Sequence, residues 1–521
     1  MKKSYKYAVN GKTKEVEYNY IPVRYIIAAL ITLIEIALVI GVVILCCIYV
    51  PYFYVAALIT QIACVIRIIA SEDNPDYKVP WLIIVLVVPV AGFMLYFMFY
   101  SRTLHPKFRR RIIDVYSKLQ KTDDTEVFES LREHDALVAS EARMLADISR
   151  SGLYRADSCQ YYPIGEELFK AMLDDLKSAE SFILMEYFII EEGQVWGAML
   201  DILKRKAAEG VDVRVVYDDV GCMMTLPGDY AKTLGSFGIK ATPFSRLRGN
   251  ADSEFNNRSH RKICIIDGRV GYTGGVNLAD EYANIVTKFG HWKDVGIRIT
   301  GRAVNELTSL FLGDYFINVK EVDESFERYY NSEKTSHGSG FILPFGDGPR
   351  PVYERNVAKT VIQSMLATAH EYVYIMTPYL IIDNELCTTI ENAALRGVDV
   401  RLVLPHIPDK RLIFTMTKSY YSRLIKAGVR IFEYEPGFVH AKVYLADGER
   451  AIVGTVNLDY RSLVHHFENG VWLYRADCIS DIRADFDTTL DRCIEITADK
   501  LKTGLGTRFL RAVIKIFAPM L

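Results

Sequence analysis

The stretch SHRKICIID, Ser259 to Asp267, and its counterpart HAKVYLAD, His440 to Asp447, decide how this chain is read. On a strand, alternate side chains take opposite faces, so His260, Lys262, Cys264 and Ile266 share one face while Arg261, Ile263 and Ile265 take the other. The second copy sets His440 and Lys442 against an apolar face of Val443 and Leu445. An imidazole and an ammonium thus point into the same space, twice. Five residues repeat at one offset of 180: His260, Lys262, Asp267, Gly274 and Asn277 map onto His440, Lys442, Asp447, Gly454 and Asn457. The repeat extends outward. GVDVR at Gly210 to Arg214 returns at Gly397 to Arg401, and the strand-like runs Ser181 to Ile190 and Val211 to Tyr217 flank a helical pattern from Val195 to Ala208. The same succession recurs in Glu371 to Leu380, Asp383 to Arg396 and Val398 to Leu404. Strand, helix and strand at this spacing predict an α/β fold of two like halves, with parallel pairing and right-handed crossovers.

Two such half-sites meeting at a pseudo-twofold axis make a phosphate clamp that needs no metal. Lys262 and Lys442 neutralise non-bridging oxygens, the amides of Asn277 and Asn457 donate to them, one histidine attacks phosphorus and the other protonates the leaving oxygen. Histidine suits both tasks because its ordinary pKa, about 6.5, lies near working pH. A nucleophilic histidine needs an orienting group on its second nitrogen. Asp294, in HWKD, and Glu468, in HHFEN, each come shortly after an aromatic residue, precede an apolar run, and are expected to play equivalent roles. Asp267 and Asp447 stand where a strand ends in Asp-Gly, a spacing that suits pinning the turn better than touching substrate. Asp218 and Asp219 are expected to bind substrate hydroxyls or cap a helix. His465 and His466 adjoin Glu468. His105, His134, His291, His337, His370 and His406 have no comparable setting and read as solvated or structural.

At 521 residues the chain suggests two or three folded units, at roughly 150 residues each. Its 62 basic and 64 acidic side chains leave a formal charge of −2, so no global basic excess points to nucleic acid and phosphate recognition has to be local. Nine scattered cysteines without CxxC spacing read as reduced thiols facing a cytosol. Three apolar stretches, about 25–50, 52–70 and 80–100, have the length of bilayer-spanning helices. The cluster Arg102, Lys107, Arg109, Arg110 and Arg111 places residues 101–521 in the cytoplasm by the positive-inside rule, although three spans would set the lysine-rich tail on the other side. A re-entrant or interfacial second segment would reconcile the two signals. The expected organisation is a tail (1–24), a membrane region (25–100), a basic connector (101–150), a first half (151–331), a Gly- and Ser-rich linker (332–350), a second half (351–495) and a C-terminal amphipathic helix (496–521). That helix either lies in an anionic interface or packs on the catalytic core.

HxK, four residues and Asp, then six residues and a G-x-x-N element, twice in one chain, resembles the phospholipase D superfamily. Within it the wording is similar to that of bacterial cardiolipin synthases: NPDYKVPW at Asn74 to Trp81, NNRSHRKICIIDGRVGYTGGVNLADEY at Asn256 to Tyr282, and NLDYRS at Asn457 to Ser462. The resemblance implies two phospholipase D-like halves with mainly parallel sheets flanked by helices, preceded by transmembrane helices. It implies one site between the halves and a phosphohistidine intermediate, with two phosphatidylglycerols giving cardiolipin and glycerol. Partners are then phosphatidylglycerol and anionic membrane lipid, with no nucleic acid, no cofactor and no metal. By matching positions, His260, Lys262, Asp267, His440, Lys442 and Asp447 become catalytic, Asn277 and Asn457 bind phosphate, and His260 is the nucleophile. The family pattern often has Ser after the Gly, where this chain has Gly275 and Thr455. A hydrolytic phospholipase D or nuclease, and an inactive lipid-binding scaffold, are the alternatives; the apolar stretches oppose a nuclease, and the intact HxK pairs oppose a scaffold.

Overall fold

A computed structural model describes residues 2–9, 12–19, 23–49, 51–100, 106–119, 125–246, 257–319, 326–332, 338–501 and 504–518. Arg102, His105 and His337 lie outside the described residues. Two helices, α1 (Val23–Tyr49) and α2 (Pro51–Ala70), are long and apolar enough to cross a membrane. The third apolar stretch differs from the single helix expected over 80–100. It forms α3 (Pro75–Val87) and α4 (Pro89–Phe99), separated by Val88, whose backbone leaves the helical region (φ −117°, ψ 81°). Ring centroids 5.5 Å apart for Tyr77 and Tyr100 and 5.9 Å for Trp81 and Tyr96 show that α4 folds back along α3. A Cβ at Gly92 would lie 2.4 Å from the carbonyl oxygen of Ile84, so only glycine lets the two helices approach this closely. Pro89 causes the break, because it lacks the N–H that would close onto the Val85 carbonyl. Buried Gln61 of α2 donates to that oxygen at 2.7 Å, supplying the bond an apolar surrounding would otherwise withhold. The two arms, roughly 20 and 16 Å long at 1.5 Å per residue, are each too short to cross a bilayer.

The loop between α2 and α3 is fastened to the second half. Asn74 caps α3 by accepting from Asp76 N at 2.9 Å and donates to Asp383 at 2.7 Å, while Asp76 accepts from Asn384 N at 2.6 Å. Asp383 is itself the N-cap of the helix Asn384–Leu395.

The halves repeat one sheet order. The first runs Cys159–Tyr162, Gly296–Thr300, Val270–Gly274, Lys262–Ile266, Phe182–Tyr187, Asp212–Asp218, Lys240–Phe244. In the second, Glu468–Tyr474, Arg450–Gly454, Val443–Ala446, Tyr372–Met376, Asp399–Pro405 and Arg430–Tyr434 take the equivalent places. The expected parallel pairing holds among the last three strands of each series. The motif strands join antiparallel, so each sheet is mixed and not mainly parallel. The cause is local: Asp267-Gly268 and Asp447-Gly448 both take positive φ (51° and 65°, 54° and 67°), a tight turn that can only return the chain antiparallel. Helices flank both sheets, as expected of two phospholipase D-like repeats.

Two readings are corrected. Within the stretch expected as a linker, Phe341–Asp347 is a fully buried strand of the second sheet, paired with Glu468–Tyr474; its apolar side chains outweigh the flanking glycines and serines. The expectation of reduced thiols fails at Cys159 and Cys478, which form a disulfide across 319 residues of sequence, between a strand of the first sheet and the N-cap of the helix Ile479–Leu490. No sequence spacing announces a pair so far apart. The C-terminal helix, Leu505–Ile516, turns its apolar stripe outward: Leu505 and Phe509 are 83% and 72% exposed, with Leu510 and Val513 beside them, whereas Ala518 packs under Met416 and Tyr460.

Candidate active site

The two motif histidines meet where the halves pair backbone to backbone. His291–Lys293 of the first half runs parallel to Gly437–Val439 of the second, and Ser259 forms a parallel bridge to Phe467. These two short contacts have the same construction. His260 N donates to Phe467 O at 2.8 Å and His440 N to Lys293 O at 2.7 Å, so in each case the next residue of the opposite half is an acid. That residue turns onto the imidazole: His260 Nδ1 lies 3.0 Å from both carboxylate oxygens of Glu468, and His440 Nδ1 lies 2.6 Å from Asp294 Oδ2. Asp294 and Glu468 thus play equivalent geometric parts, exchanged between the halves. Each carboxylate is wholly buried, and each histidine is less than 10% exposed.

Both lysines stay near their histidines. Lys262 Nζ donates to His260 O at 2.7 Å, and Lys442 Nζ bonds His440 O and approaches His440 Nδ1 at 2.8 Å. Among the described residues neither ammonium has a carboxylate within ion-pair distance, so both charges are available to an anion. Asn277 accepts from Ile189 N at 3.1 Å and donates to Tyr282 Oη at 2.7 Å, whereas the buried side-chain oxygen of Asn457 has no partner among the described residues. The unequal pair Gly275 and Thr455 is explained here. The Thr455 hydroxyl donates to Glu468 and has no counterpart in the first half, because a Cβ at Gly275 would stand 1.9 Å from Asp294 Oδ1. Aromatic rings wall the imidazoles: Phe188 lies edge-on to His260 at 5.1 Å, and Tyr282 and Trp292 lie 5.4 and 5.6 Å from His440.

Burial sets the proton inventory. It draws the His260 pKa down to about 3, and burial with the neighbouring Lys442 and Lys262 charges holds His440 well below the ordinary range. Both imidazoles are therefore neutral, and the Nδ1 of each faces a carboxylate; at His260, whose carboxylate partner is ionised, the proton belongs on Nδ1 and Nε2 presents a lone pair. The acids diverge. Burial pushes Asp294 up to about 7, while the pairing of Glu468 with His260, and His466 beside it, outweighs burial and holds that carboxylate below its ordinary range, ionised. Burial also lowers Lys262 to about 7 and Lys442 to about 8.

Other residues named from the sequence fall outside this cluster. Asp267 accepts from the backbone N–H groups of Glu180, Ser181 and Phe182 at 2.7–2.8 Å, and Asp447 from those of His370, Glu371 and Tyr372 at 2.8–3.2 Å. Each pins the start of the neighbouring strand. Asp218 accepts from Val220 N, Gly221 N, Arg258 Nε and Ser259 N, so it braces the segment just before His260. His291 and His406 bond Tyr434 and Glu433, in keeping with a structural reading. His466 adjoins the His260–Glu468 pair: its ring lies 5.7 Å from that of His260, its Nδ1 is 3.8 Å from Glu468, and among the described residues neither ring nitrogen has a hydrogen bond. His260, His466 and Glu468 are also the group of donors close enough together to hold a cation among the described residues, a juxtaposition that a separation of some 200 positions conceals.

The chain matches the family model described as "Cardiolipin synthase, PLD-like domain" twice, over residues 172–302 and 362–490, and the model "Phospholipase_D-nuclease N-terminal" over residues 59–99. It is 39% identical over 469 residues to an uncharacterized protein of Streptococcus mutans, covering 88% of this chain and 100% of that one. It is 34% identical to cardiolipin synthase 2 of Bacillus anthracis, covering 88% and 89%, and 31% identical to a cardiolipin synthase of Alkalihalophilus pseudofirmus, covering 88% and 91%. The crystal structure of a phosphatidylserine synthase of Haemophilus influenzae superposes with a TM-score of 0.57 at 15% identity, over 73% of this chain and 97% of that one, a likeness of fold.

This geometry carries two expected outcomes. Asp267→Ala should lower the thermal unfolding temperature, since three charge-assisted backbone bonds are worth about 2 kcal/mol or more together, yet retain activity within a few fold; His440→Ala should lose several orders of magnitude at unchanged stability. Lysines carry charge below their pKa, so the clamp discharges as pH rises: kcat/KM measured from pH 6 to 9 should fall through the range 7–8, with kcat holding to higher pH because bound phosphate keeps the ammonium groups protonated.

Proposed function

The chain belongs to the cardiolipin synthase family of phospholipase D-like proteins, and from that premise we propose that it is a phosphatidyltransferase that joins two phosphatidylglycerols into cardiolipin and glycerol. The observation that carries the reading is the pair of buried, neutral imidazoles, each backed by a carboxylate of the opposite half and flanked by an unpaired lysine.

The donor phosphodiester sits between Lys262 and Lys442, with the Asn277 and Asn457 amides beside it. His260 Nε2 attacks phosphorus, the P–N bond forms, and the bond to the headgroup glycerol oxygen breaks as His440 delivers its Nε2 proton to that oxygen while its Nδ1 takes up the proton of neutral Asp294, a relay that runs backwards in the second step. Neutral glycerol departs. The terminal hydroxyl of a second phosphatidylglycerol then gives its proton to His440, attacks phosphorus, and expels His260 in its original state. Ionised Glu468 suits His260 as nucleophile, because the phosphorylated imidazole is a cation that a fixed anion stabilises. Asp294, near 7, suits the histidine through which protons pass in both directions.

Transfer to an alcohol and not to water requires an acceptor held in line in a site that excludes solvent. The membrane segments serve this end. We read α1 and α2 as crossing the bilayer and α3–α4 as re-entering it from the catalytic side. That places the lysine-rich tail and Arg109–Arg111 on one side, the cytoplasmic one by charge. Protease digestion of intact cells tests the orientation: the two halves should be protected on the cytoplasmic side, and their degradation would place them outside, where the Cys159–Cys478 bridge is readily kept.

Purified protein in phosphatidylglycerol liposomes should make cardiolipin and glycerol in equal amounts with little phosphatidic acid. Mapping of a reaction quenched by denaturation at alkaline pH should find the phosphatidyl group on His260. Phosphatidic acid as the main product across lipid densities would make the protein a hydrolase, and label on His440 would reverse the two roles.

A further inference from the structure

A cavity of about 700 Å³ lies between the membrane hairpin and the second half, apart from the catalytic histidines. Three guanidinium groups line it: Arg67, in the last turn of α2, and Arg350 and Arg355, in the loop after the strand Phe341–Asp347. None has a carboxylate within ion-pair distance among the described residues. Of the carboxylates in the lining, Asp383 and Glu385 hold Lys359 and Asp73 takes the Tyr100 hydroxyl, while Glu72 and Glu354 form no ion pair with the three arginines. Three unpaired arginines around one cavity are unusual, because like charges left facing one another repel unless an anion joins them.

The position of Arg67 narrows the class of anion. It stands in the last turn of an apolar helix with Ile66 and Ile69 exposed beside it, an end that reaches the level of the bilayer's phosphates on the reading of α2 as a span, and Tyr96, Phe97 and Tyr100 line the same cavity. The opposite wall belongs to the catalytic segment. Tyr460 and Val464 line the cavity between Asn457 and Glu468 in sequence, and the ring of Tyr77 in the cavity wall stands 5.8 Å from that of His465.

We propose that this cavity is a headgroup site for an anionic phospholipid, with Arg67, Arg350 and Arg355 holding its phosphodiester. Arginine forks match a phosphodiester's paired oxygens, and the uncommitted carboxylates Glu72 and Glu354 in the same lining can accept hydrogen bonds from a polyol headgroup. Resting on the transfer reaction proposed above, the site has a natural occupant: the reaction consumes two lipids with two phosphates, and the histidine–lysine clamp holds only one. The second lipid waits at the bilayer surface beside the segment that carries Glu468.

The test uses the full chain in nanodiscs, in a His260→Gln/His440→Gln background so that binding is read without turnover. Headgroup-labelled phosphatidylglycerol titrated into phosphatidylcholine discs should bind at least tenfold more weakly when Arg67, Arg350 and Arg355 are all changed to Gln, and changing the three to Lys should restore part of the loss. In the active protein the Gln variant should raise KM for phosphatidylglycerol several fold, with kcat changed less. Unchanged binding in a Gln variant of unaltered unfolding temperature would overturn the proposal; if that variant is unstable, unchanged binding in the single variants would do so. Displacement of the label by millimolar inorganic phosphate as effectively as by unlabelled lipid would make this a free-anion site and not a lipid site. If binding behaves as expected but no cardiolipin forms, the lipid site stands and the transfer reading falls.

Discussion

A neutral imidazole buried beside an ammonium has nothing to orient it unless a carboxylate reaches its second nitrogen, and in this protein that carboxylate always comes from the other half. Glu468 serves His260 and Asp294 serves His440, through two backbone contacts of identical construction. Neither half holds a complete site. The mixed sheets, the Asp-Gly turns that bring each HxK back against its neighbour, and Arg258–Asp218 behind His260 all serve to deliver two histidines to one interface with little freedom left. The exchange also explains Gly275: the close approach of Asp294 leaves no room there for any side chain, while Thr455 in the equivalent place supports Glu468.

The two halves are alike in fold and unlike in charge. Glu468 is held ionised, and Asp294 is pushed toward neutrality by the same burial. Near-symmetry of sequence thus coexists with a polarity that a transfer reaction needs, one histidine to carry a group and the other to carry a proton. Burial that lowers both lysines keeps them only just charged near neutral pH, so in the proposed reaction an arriving phosphate is met by cations whose hydration has already been removed. The α3–α4 hairpin is clamped to the second half by Asn74 and Asp76, and on the proposed re-entrant reading it sets this interior beside the phase that holds the proposed substrates.

Much of this was legible in the sequence because repeats and period-two strands are local signals. The five residues repeated at one offset announced two halves, and the odd spacing of Asp267 and Asp447 from the lysines announced turn pins, which is where they stand. The exchange of Asp294 and Glu468 was not legible, since each lies closer in sequence to the histidine it does not serve. The fold of 75–99 was also hidden: hydropathy sees a single apolar stretch, whereas Pro89, Gly92 and the distant Gln61 decide that it turns back. Phe341–Asp347 was masked by its glycine-rich flanks, and the Cys159–Cys478 bridge by 319 residues of separation.

The exchange of carboxylates is tested most directly by nitrogen NMR of the histidine rings in protein labelled at histidine. Glu468→Gln should alter the Nδ1 and Nε2 resonances of His260 and leave those of His440 in place, and Asp294→Asn should do the reverse. A response confined to the histidine of the same half, with Glu468→Gln moving His440 and Asp294→Asn moving His260, would contradict the account.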